Sequence, residues 1–293
     1  FGVKQRNKLL SKGIQPHFLA MTATPIPRSL ALSIYGDLDV SQIDELPPGR
    51  TPIITKLLSS SQRNKAYKLI REELNKGQKA YVVLPLVEES EKLDLRSAVT
   101  VYKQLSEEIF TDFKVGLLHG RLSSQEKQSV ISRFSNGDCQ ILVSTTVVEV
   151  GVDVSSATVM LIDNADRFGL AQLHQLRGRV GRGAKQSYCL LINESKNQLS
   201  KQRLEVLVST NDGFEISEID LRLRGPGQVL GTRQSGLPDF ALASLSEDSL
   251  ILDEARNEAT SLLEADPGLK SNPLLRKLLD EEGARIYRNL NLN

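Results

Sequence analysis

The sequence predicts an α/β fold in which a parallel sheet carries helices on both faces. Short apolar runs between residues 53 and 192 alternate with stretches of helical periodicity. The runs are almost continuously apolar, which is typical of parallel strands that are covered on both sides. A chain of 293 residues is also long enough for two domains, each with its own core.

The elements follow in chain order. Strands are predicted at 53–58, 80–86, 115–119, 141–145, 159–163 and 187–192. Helices are predicted at 62–76, 97–110, 124–135 and 169–182, with a charged surface loop at 88–95. Ser123 and Glu126 have the spacing of a capping box, which predicts that a helix starts there.

Breaks in composition divide the chain into segments 1–50, 51–195 and 196–293. The first segment ends in Leu46-Pro-Pro-Gly-Arg50, where proline and glycine interrupt helix and strand alike and indicate a linker. The last segment predicts helices only, at 199–208, 213–224, 246–265 and 273–279. The third and fourth of these are expected to be packing elements, and in the second a packing stripe is expected at Ile216, Ile219 and Leu223.

Composition narrows the possible functions. The net charge is +1, so any nucleic-acid binding must come from local basic patches. Cys139 and Cys189 lie in apolar runs, which favours buried thiols in a reducing compartment. No Cys/His group has zinc spacing, and no apolar run approaches the length of a membrane span, so neither a metal site nor a membrane partner is expected.

The most specific pattern is the stretch 172–183, Gln-Leu-His-Gln-Leu-Arg-Gly-Arg-Val-Gly-Arg-Gly. Drawn as one helix, it has a polar face that consists of Gln172, Gln175, Arg179 and Arg182. A neighbouring apolar stripe consists of Leu173, Leu176 and Val180. Gly178 and Gly181 would each cost about 1 kcal/mol relative to alanine inside a helix. That cost fits a place where a phosphate or another domain approaches the backbone. A solvated basic helix face is the alternative.

Gln175-Leu-Arg-Gly-Arg-Val-Gly-Arg182 resembles motif VI of the superfamily 2 helicases and translocases. The resemblance implies a RecA-like fold, with Arg179 and Arg182 as catalytic fingers on the γ-phosphate of ATP and Gln175 as a nucleotide sensor.

Two further stretches fit the same family. The stretch 144–153 resembles motif V, which implies ATP binding by Gly151 and Asp153 and DNA contacts by Thr145 and Thr146. Thr22-Ala-Thr24 resembles motif III, which couples the nucleotide state to the nucleic-acid path.

Arg121 follows the third predicted strand. An arginine at the mouth of a parallel sheet can contact a phosphate, whereas the capping box explains only its neighbours.

Residues 36–50 look like the RecG branch of this superfamily, and residues 213–236 resemble the TRG motif that RecG shares with transcription-repair coupling translocases. Arg224 and Gln234 match coupling positions of that motif. The alternative is a helical hairpin that only packs on the core.

The resemblance implies an ATP-dependent DNA helicase or translocase that acts on branched double-stranded DNA in repair and recombination, located in the cytoplasm at the bacterial nucleoid or in an organelle of bacterial descent. No Gly-x-x-x-x-Gly-Lys-Ser/Thr loop and no Asp-Glu-x-His box occurs in this chain. The main ligands of ATP and Mg²⁺ are therefore expected on a first RecA-like domain, of which residues 1–50 are the tail, and an N-terminal wedge domain is a further expected partner. The chain alone is expected to be inactive. A transcription-repair coupling translocase and a non-catalytic nucleic-acid-binding module are the alternatives.

Overall fold

The computed structural model describes residues 49–85, 91–145, 154–224 and 249–290, and the single residues 19, 21, 22, 41 and 43. In these ranges six strands form one sheet: β1 (Ile54–Ser59), β2 (Lys79–Val83), β3 (Val115–Leu118), β4 (Ile141–Ser144), β5 (Ala157–Ile162) and β6 (Tyr188–Asn193). Their order is β1-β6-β5-β2-β4-β3. Every neighbouring pair is parallel, as the sequence predicts.

Helices connect these strands and follow the last one. They are α1 (Arg63–Asn75), α2 (Glu91–Gln104), α3 (Ser124–Asn136), α4 (Leu170–Arg177), α5 (Gln198–Ser209), α6 (Gly213–Arg224), α7 (Ser249–Ala265) and α8 (Pro273–Leu290). The predicted capping box is confirmed, because the backbone N–H of Glu126 donates to Ser123 Oγ and that of Ser123 donates to the Glu126 carboxylate. Within the described residues, no helix is long and apolar enough to cross a membrane.

The sheet has a hydrophobic core on each face. In β2, Tyr81 packs in the core that α3, α4, α5 and α6 cover, whereas its neighbour Val82 packs in the core that α1 and α2 cover. Both side chains are buried, and all six residues of β5 are buried as well. Side chains alternate between the two faces of a strand, so a strand that is buried throughout needs helices on both sides. The predicted two-sided cover is confirmed.

Several elements differ from the prediction. Residues 91–95, predicted as loop, form the first part of α2, and in the sequence Leu95 begins a helical spacing that continues with Ala98, Tyr102 and Leu105. Helix α8 runs to Leu290 instead of ending near 279, since a single glycine among good helix formers does not end it. In α6 the packing stripe is wrong at Leu223, which is 48% exposed, whereas Leu221 is buried.

The two cysteines are buried thiols, as predicted. Cys139 precedes β4 and its Sγ lies 3.0 Å from the carbonyl oxygen of Ile141. Burial raises the pKa of the Cys139 thiol, and it raises the pKa of Cys189 in β6 to about 12. Neither thiol is therefore an available nucleophile at neutral pH.

Candidate functional site

Helix α4 ends at Arg177, so the two candidate finger arginines lie in the loop that follows it. The backbone N–H of Arg179 donates to the carbonyl of Leu176 at 3.0 Å, which tightens the chain into a turn. Gly181 then has a φ of +75°, in the left-handed region, where a right-handed helix cannot continue. The helix predicted over 169–182 is therefore wrong beyond Arg177, and so is the single helical face predicted for Gln172, Gln175, Arg179 and Arg182.

Gly181 makes the close backbone contact that the sequence predicts, but its partner belongs to the same chain. A Cβ on Gly181 would lie 2.7 Å from Cγ1 and 3.0 Å from Cδ1 of Ile53. The expectation of a phosphate or another domain at this glycine is corrected accordingly. Gly178 has an ordinary helical φ of −66°, and a Cβ there would meet only carbonyl oxygens at 3.5 Å or more. In the described part of the chain, no close neighbour therefore requires a glycine at position 178, in contrast to the prediction.

The arginine loop, residues 178–183, lies at the amino-terminal edge of the sheet. Gly181 packs on Ile53, which directly precedes β1, and a Cβ on Gly183 would face the carbonyl of Ser155, two residues before β5. Arg179 and Arg182 are half-buried in this loop, and Nε of Arg182 lies 3.4 Å from the carbonyl oxygen of Gly178. The two guanidiniums are thus held beside the beginnings of the strands.

The candidate DNA-binding residues lie at the opposite, carboxyl-terminal edge. Thr145 directly follows β4, and its N–H donates to the carbonyl of Leu118 at the end of β3. Arg121 is exposed, three residues beyond β3. Strands of this length, at about 3.3 Å per residue, separate the two edges by roughly 13–20 Å. The structure therefore brings Arg121 and Thr145 to one edge, and Arg179 and Arg182 to the other.

The two halves of the carboxyl edge differ in their polar groups. Over β5 and β6, Arg63 forms ion pairs with Asp163 at 2.6 Å and with Glu194 at 2.7 Å. Burial opposes the charge of Arg63, but the hydrogen bond and the charge of Asp163 outweigh it and raise the pKa of the guanidinium. In this half of the edge, one guanidinium therefore offsets one of the two carboxylate charges.

Over β3 and β4, two buried polar atoms make no hydrogen bond with any of the described residues: Thr145 Oγ1 and His119 Nδ1. Thr145 is 2% exposed. Burial, followed by the charge of Arg121, lowers the pKa of His119, so this imidazole is neutral at neutral pH. Orphaned buried polar atoms are rare in folded proteins and call for a functional or structural reason.

Arg177 is a buried charge within motif VI that the sequence interpretation left without a role. It is 2% exposed, and its guanidinium donates to the carbonyls of Leu207 at 2.8 Å and Thr210 at 2.9 Å. Its Nη2 contacts His174 Nδ1 at 3.0 Å. Burial, followed by the charge of Arg177, lowers the pKa of His174 to about 4. The signal was available in the sequence, because Arg177 lies four residues after Leu173, on the buried side of the helix.

Two protein-family models and several RecG proteins match this chain. The model described as "Helicase conserved C-terminal domain" matches residues 61–184, and the model described as "ATP-dependent DNA helicase RecG, domain 3, C-terminal" matches residues 210–281. A Synechocystis relative named ATP-dependent DNA helicase RecG is 59% identical over 276 residues, which are 94% of this chain and 33% of that protein. The chain belongs to the RecG family.

Other RecG proteins agree with this assignment. The Aquifex aeolicus RecG is 55% identical over 288 residues, which are 95% of this chain and 36% of that protein. A solved structure of RecG bound to a three-way DNA junction is 48% identical, has a TM-score of 0.65, and is matched over 83% of this chain and 31% of that one. The RecA-like fold is thereby confirmed. The chain spans about a third of the length of the RecG relatives it matches.

The structure describes only some of the remaining predicted site residues. Gln175 is half-buried on α4, two residues before Arg177, and Arg224 is the last residue of α6. Thr22 is exposed. Five predicted residues lie outside the described ranges: Thr24, Thr146, Gly151, Asp153 and Gln234. Among the residues that are described, no group of three or more His, Cys, Asp or Glu side chains could hold a metal ion.

Proposed function

We propose that this chain supplies the second RecA-like domain and the TRG region of an ATP-dependent translocase that moves double-stranded DNA and remodels branched DNA, such as stalled forks and Holliday junctions. The observation that carries the proposal is the sorting of motif residues to opposite edges of one sheet. Arg179 and Arg182 lie at the amino edge, and Thr145 and Arg121 at the carboxyl edge. One domain can then face a nucleotide with one edge and a DNA backbone with the other. The names of the RecG relatives and the junction-bound RecG structure support this assignment.

The arginine loop fits a nucleoside triphosphate by its donor chemistry. Arg179 and Arg182 offer planar guanidiniums suited to phosphate oxygens, and Gln175 offers an amide on the preceding helix. ATP, when bound, would supply a phosphoryl group whose transfer places negative charge on three oxygens. Arg179 and Arg182 would stabilise that charge. The phosphate loop and the Mg²⁺ ligands are proposed to lie on the first RecA-like domain, facing the amino edge.

The carboxyl edge fits a DNA backbone rather than particular bases. Most hydrogen bonds between proteins and DNA go to phosphate and sugar, and such contacts carry no sequence information. Among the described residues the hydroxyl of Thr145 has no hydrogen-bond partner, and Arg121 is exposed at the same edge of the sheet. Arg63 offsets one of the two negative charges of Asp163 and Glu194 at the same edge, which lowers their repulsion of phosphates. Binding through this edge is expected to be insensitive to sequence and sensitive to salt.

The proposal is tested by Arg179→Ala in the full-length protein. DNA-stimulated ATP hydrolysis is expected to fall about 10³-fold or more, since arginine fingers contribute that much to phosphoryl transfer. Duplex binding should remain within about twofold, because few of the phosphate contacts are lost. Lys185→Ala, which removes an exposed charge just beyond the same loop, is the matched control and should keep both activities.

Three results would contradict parts of this assignment. Unchanged turnover in Arg179→Ala would refute the role of the arginine loop. Equal loss of hydrolysis in Lys185→Ala would show that general charge matters, and not the motif. A wild-type protein that binds DNA in a salt-dependent way but hydrolyses no ATP would support the non-catalytic binding module instead.

A further inference from the structure

The pairing of β1 with β6 continues beyond the sheet, in the direction of the arginine loop. At this end of the two strands, the N–H of Ile54 donates to the carbonyl of Ser187 at 3.0 Å. Pro52 has no N–H, so backbone bonds alone cannot continue the ladder through it. Two side-chain bonds continue the pairing instead, from Gln186 Nε2 to the carbonyl of Pro52 at 2.9 Å and from Thr51 Oγ1 to the carbonyl of Ala184 at 3.1 Å. The segment 51–53 is thus bound to the chain that leaves the arginine loop.

Ile53, the last residue of this segment, lies directly against the arginine loop. Its Cγ1 and Cδ1 are 2.7 Å and 3.0 Å from the position that a Cβ on Gly181 would occupy. Gly181 lies between the two candidate fingers, two residues after Arg179 and one before Arg182. Ile53 therefore supports the loop between its two guanidiniums, and packed side chains transmit small shifts because protein interiors yield little.

Apolar packing holds the backbone of the arginine loop on the domain. Val180 is 2% exposed, and Ile53 packs against the same hydrophobic core. The contact between Nε of Arg182 and the carbonyl of Gly178 lies within the loop, so it does not fix the loop to the rest of the domain. A change in the shape of Ile53 should therefore alter where the loop lies, while the sheet beneath it stays intact.

The segment 51–53 also directly follows the predicted linker, residues 46–50. In the proposed arrangement, the chain that leaves the first RecA-like domain therefore enters the second domain beside the arginine loop. Motif VI alone would not indicate this, because the segment lies about 130 residues away from the loop in sequence, as the spacing of 133 residues between Thr51 and Ala184 shows.

We propose that Ile53 is a positioning residue for Arg179 and Arg182, and that the segment 51–53 sets the position from which the two guanidiniums reach the nucleotide. This role rests on the proposed function, because it takes the arginine loop to face ATP. The contact between Ile53 and the loop is independent of that function, so the two can fail separately in the experiments.

The test is Ile53→Ala in the full-length protein bound to DNA, with nucleotide affinity as the measurement. Affinity for ADP with aluminium fluoride, a mimic of the transferring phosphoryl group, should fall about tenfold, since misplaced guanidiniums lose contacts that matter most in the transition state. Affinity for ADP should stay within about twofold. The turnover number for ATP hydrolysis should also fall about tenfold, with KM nearly unchanged.

Two variants make this result specific. Ile53→Val keeps the carbon that lies closest to Gly181 and should stay within about threefold of wild type. Ile54→Ala removes the same atoms from the next residue, which is 42% exposed, and should change neither affinity. A lower folded fraction would reduce turnover but not the affinity of the folded molecules. Unchanged affinity of Ile53→Ala for the aluminium fluoride complex, or an equal loss in Ile54→Ala, would therefore overturn the proposal.

Hydrogen exchange measures the same contact without any nucleotide. Amides of residues 179–184 should exchange faster in Ile53→Ala than in wild type or Ile54→Ala, while those of β5 stay protected. Unchanged exchange at 179–184 would refute the positioning role. Equal acceleration in β5 would also refute it, because that pattern indicates a general loss of stability.

If Ile53→Ala does not fold, the half-buried Thr51 provides the decision. Thr51→Val removes the bond to Ala184 and should weaken binding of the aluminium fluoride complex about threefold, whereas Thr51→Ser keeps the hydroxyl and should match wild type. Equal affinities in the two variants would overturn the proposal. If instead Arg179→Ala binds the complex as tightly as wild type, the proposed function fails, and the exchange comparison still decides whether this segment holds the loop.

Discussion

Replacing Gly181 by alanine should destabilise the protein for two separate reasons. The φ of +75° is unfavourable for a residue with a Cβ, at a cost of about 1 kcal/mol. The added Cβ would also lie 2.7 Å from Cγ1 of Ile53, and relief of that overlap in a packed region costs about 1–3 kcal/mol. The expected loss is therefore about 2–4 kcal/mol in the free energy of unfolding.

The matched control is Gly178→Ala, three residues earlier in the same motif. Gly178 has a helical φ and no neighbour closer than 3.5 Å to an added Cβ, so the change should be neutral or slightly stabilising. Urea unfolding of both variants measures the contrast. A double-mutant cycle with Ile53→Ala isolates the steric part, which should be recovered while the backbone part remains. Equal effects of the two glycine substitutions, or no coupling to Ile53, would refute the reasoning.

Two further predictions concern buried polar groups. His174 has a pKa of about 4 in the fold against 6.5 when unfolded, so the unfolded state binds more protons between these values and stability should fall by on the order of 2 kcal/mol as pH drops from 6.5 to 4. His174→Asn keeps an acceptor for Arg177 and should weaken that pH dependence in urea titrations; an identical dependence would contradict the assignment. Thr145→Val should raise the free energy of unfolding by about 1 kcal/mol, because it removes a buried hydroxyl that has no partner in the described part of the chain. The same variant should bind duplex DNA more weakly, and a variant that is both less stable and equally tight in binding would show that the hydroxyl has an internal role.

The sheet was predictable because parallel strands that are covered on both faces appear in a sequence as short, nearly continuous apolar runs. The apolar runs that contain β5 and β6 place those strands to within about two residues, since residues on both faces of such a strand are apolar. The end of α4 was not predictable in the same way. The spacing of three and four residues continues through Gly178 and Gly181, whereas the left-handed φ of Gly181 and its contact with Ile53, which is distant in sequence, are visible only in the structure.

The site was predictable in its members and less so in its geometry. Motif VI identifies Arg179 and Arg182 as candidate phosphate ligands, but a motif does not say at which edge of the sheet its residues lie. The answer depends on α4, whose eight residues span about 12 Å and return the chain from the carboxyl edge to the amino edge. Arg177 was missed for a different reason. Its spacing from Leu173 marks the buried side of α4, but its partners are carbonyls of α5 and the α5–α6 junction, and a side-chain pattern does not identify backbone partners.

The buried thiols have a practical consequence for experiments on this chain. Its two native cysteines, Cys139 and Cys189, are both enclosed in the core, and their sulfur atoms are protonated at neutral pH. Maleimide dyes should therefore react with a cysteine newly introduced on the surface while leaving the native pair untouched. Donor and acceptor fluorophores could be attached near residues 185 and 121, at opposite rims of the sheet, without first building a cysteine-free background in this part of the protein.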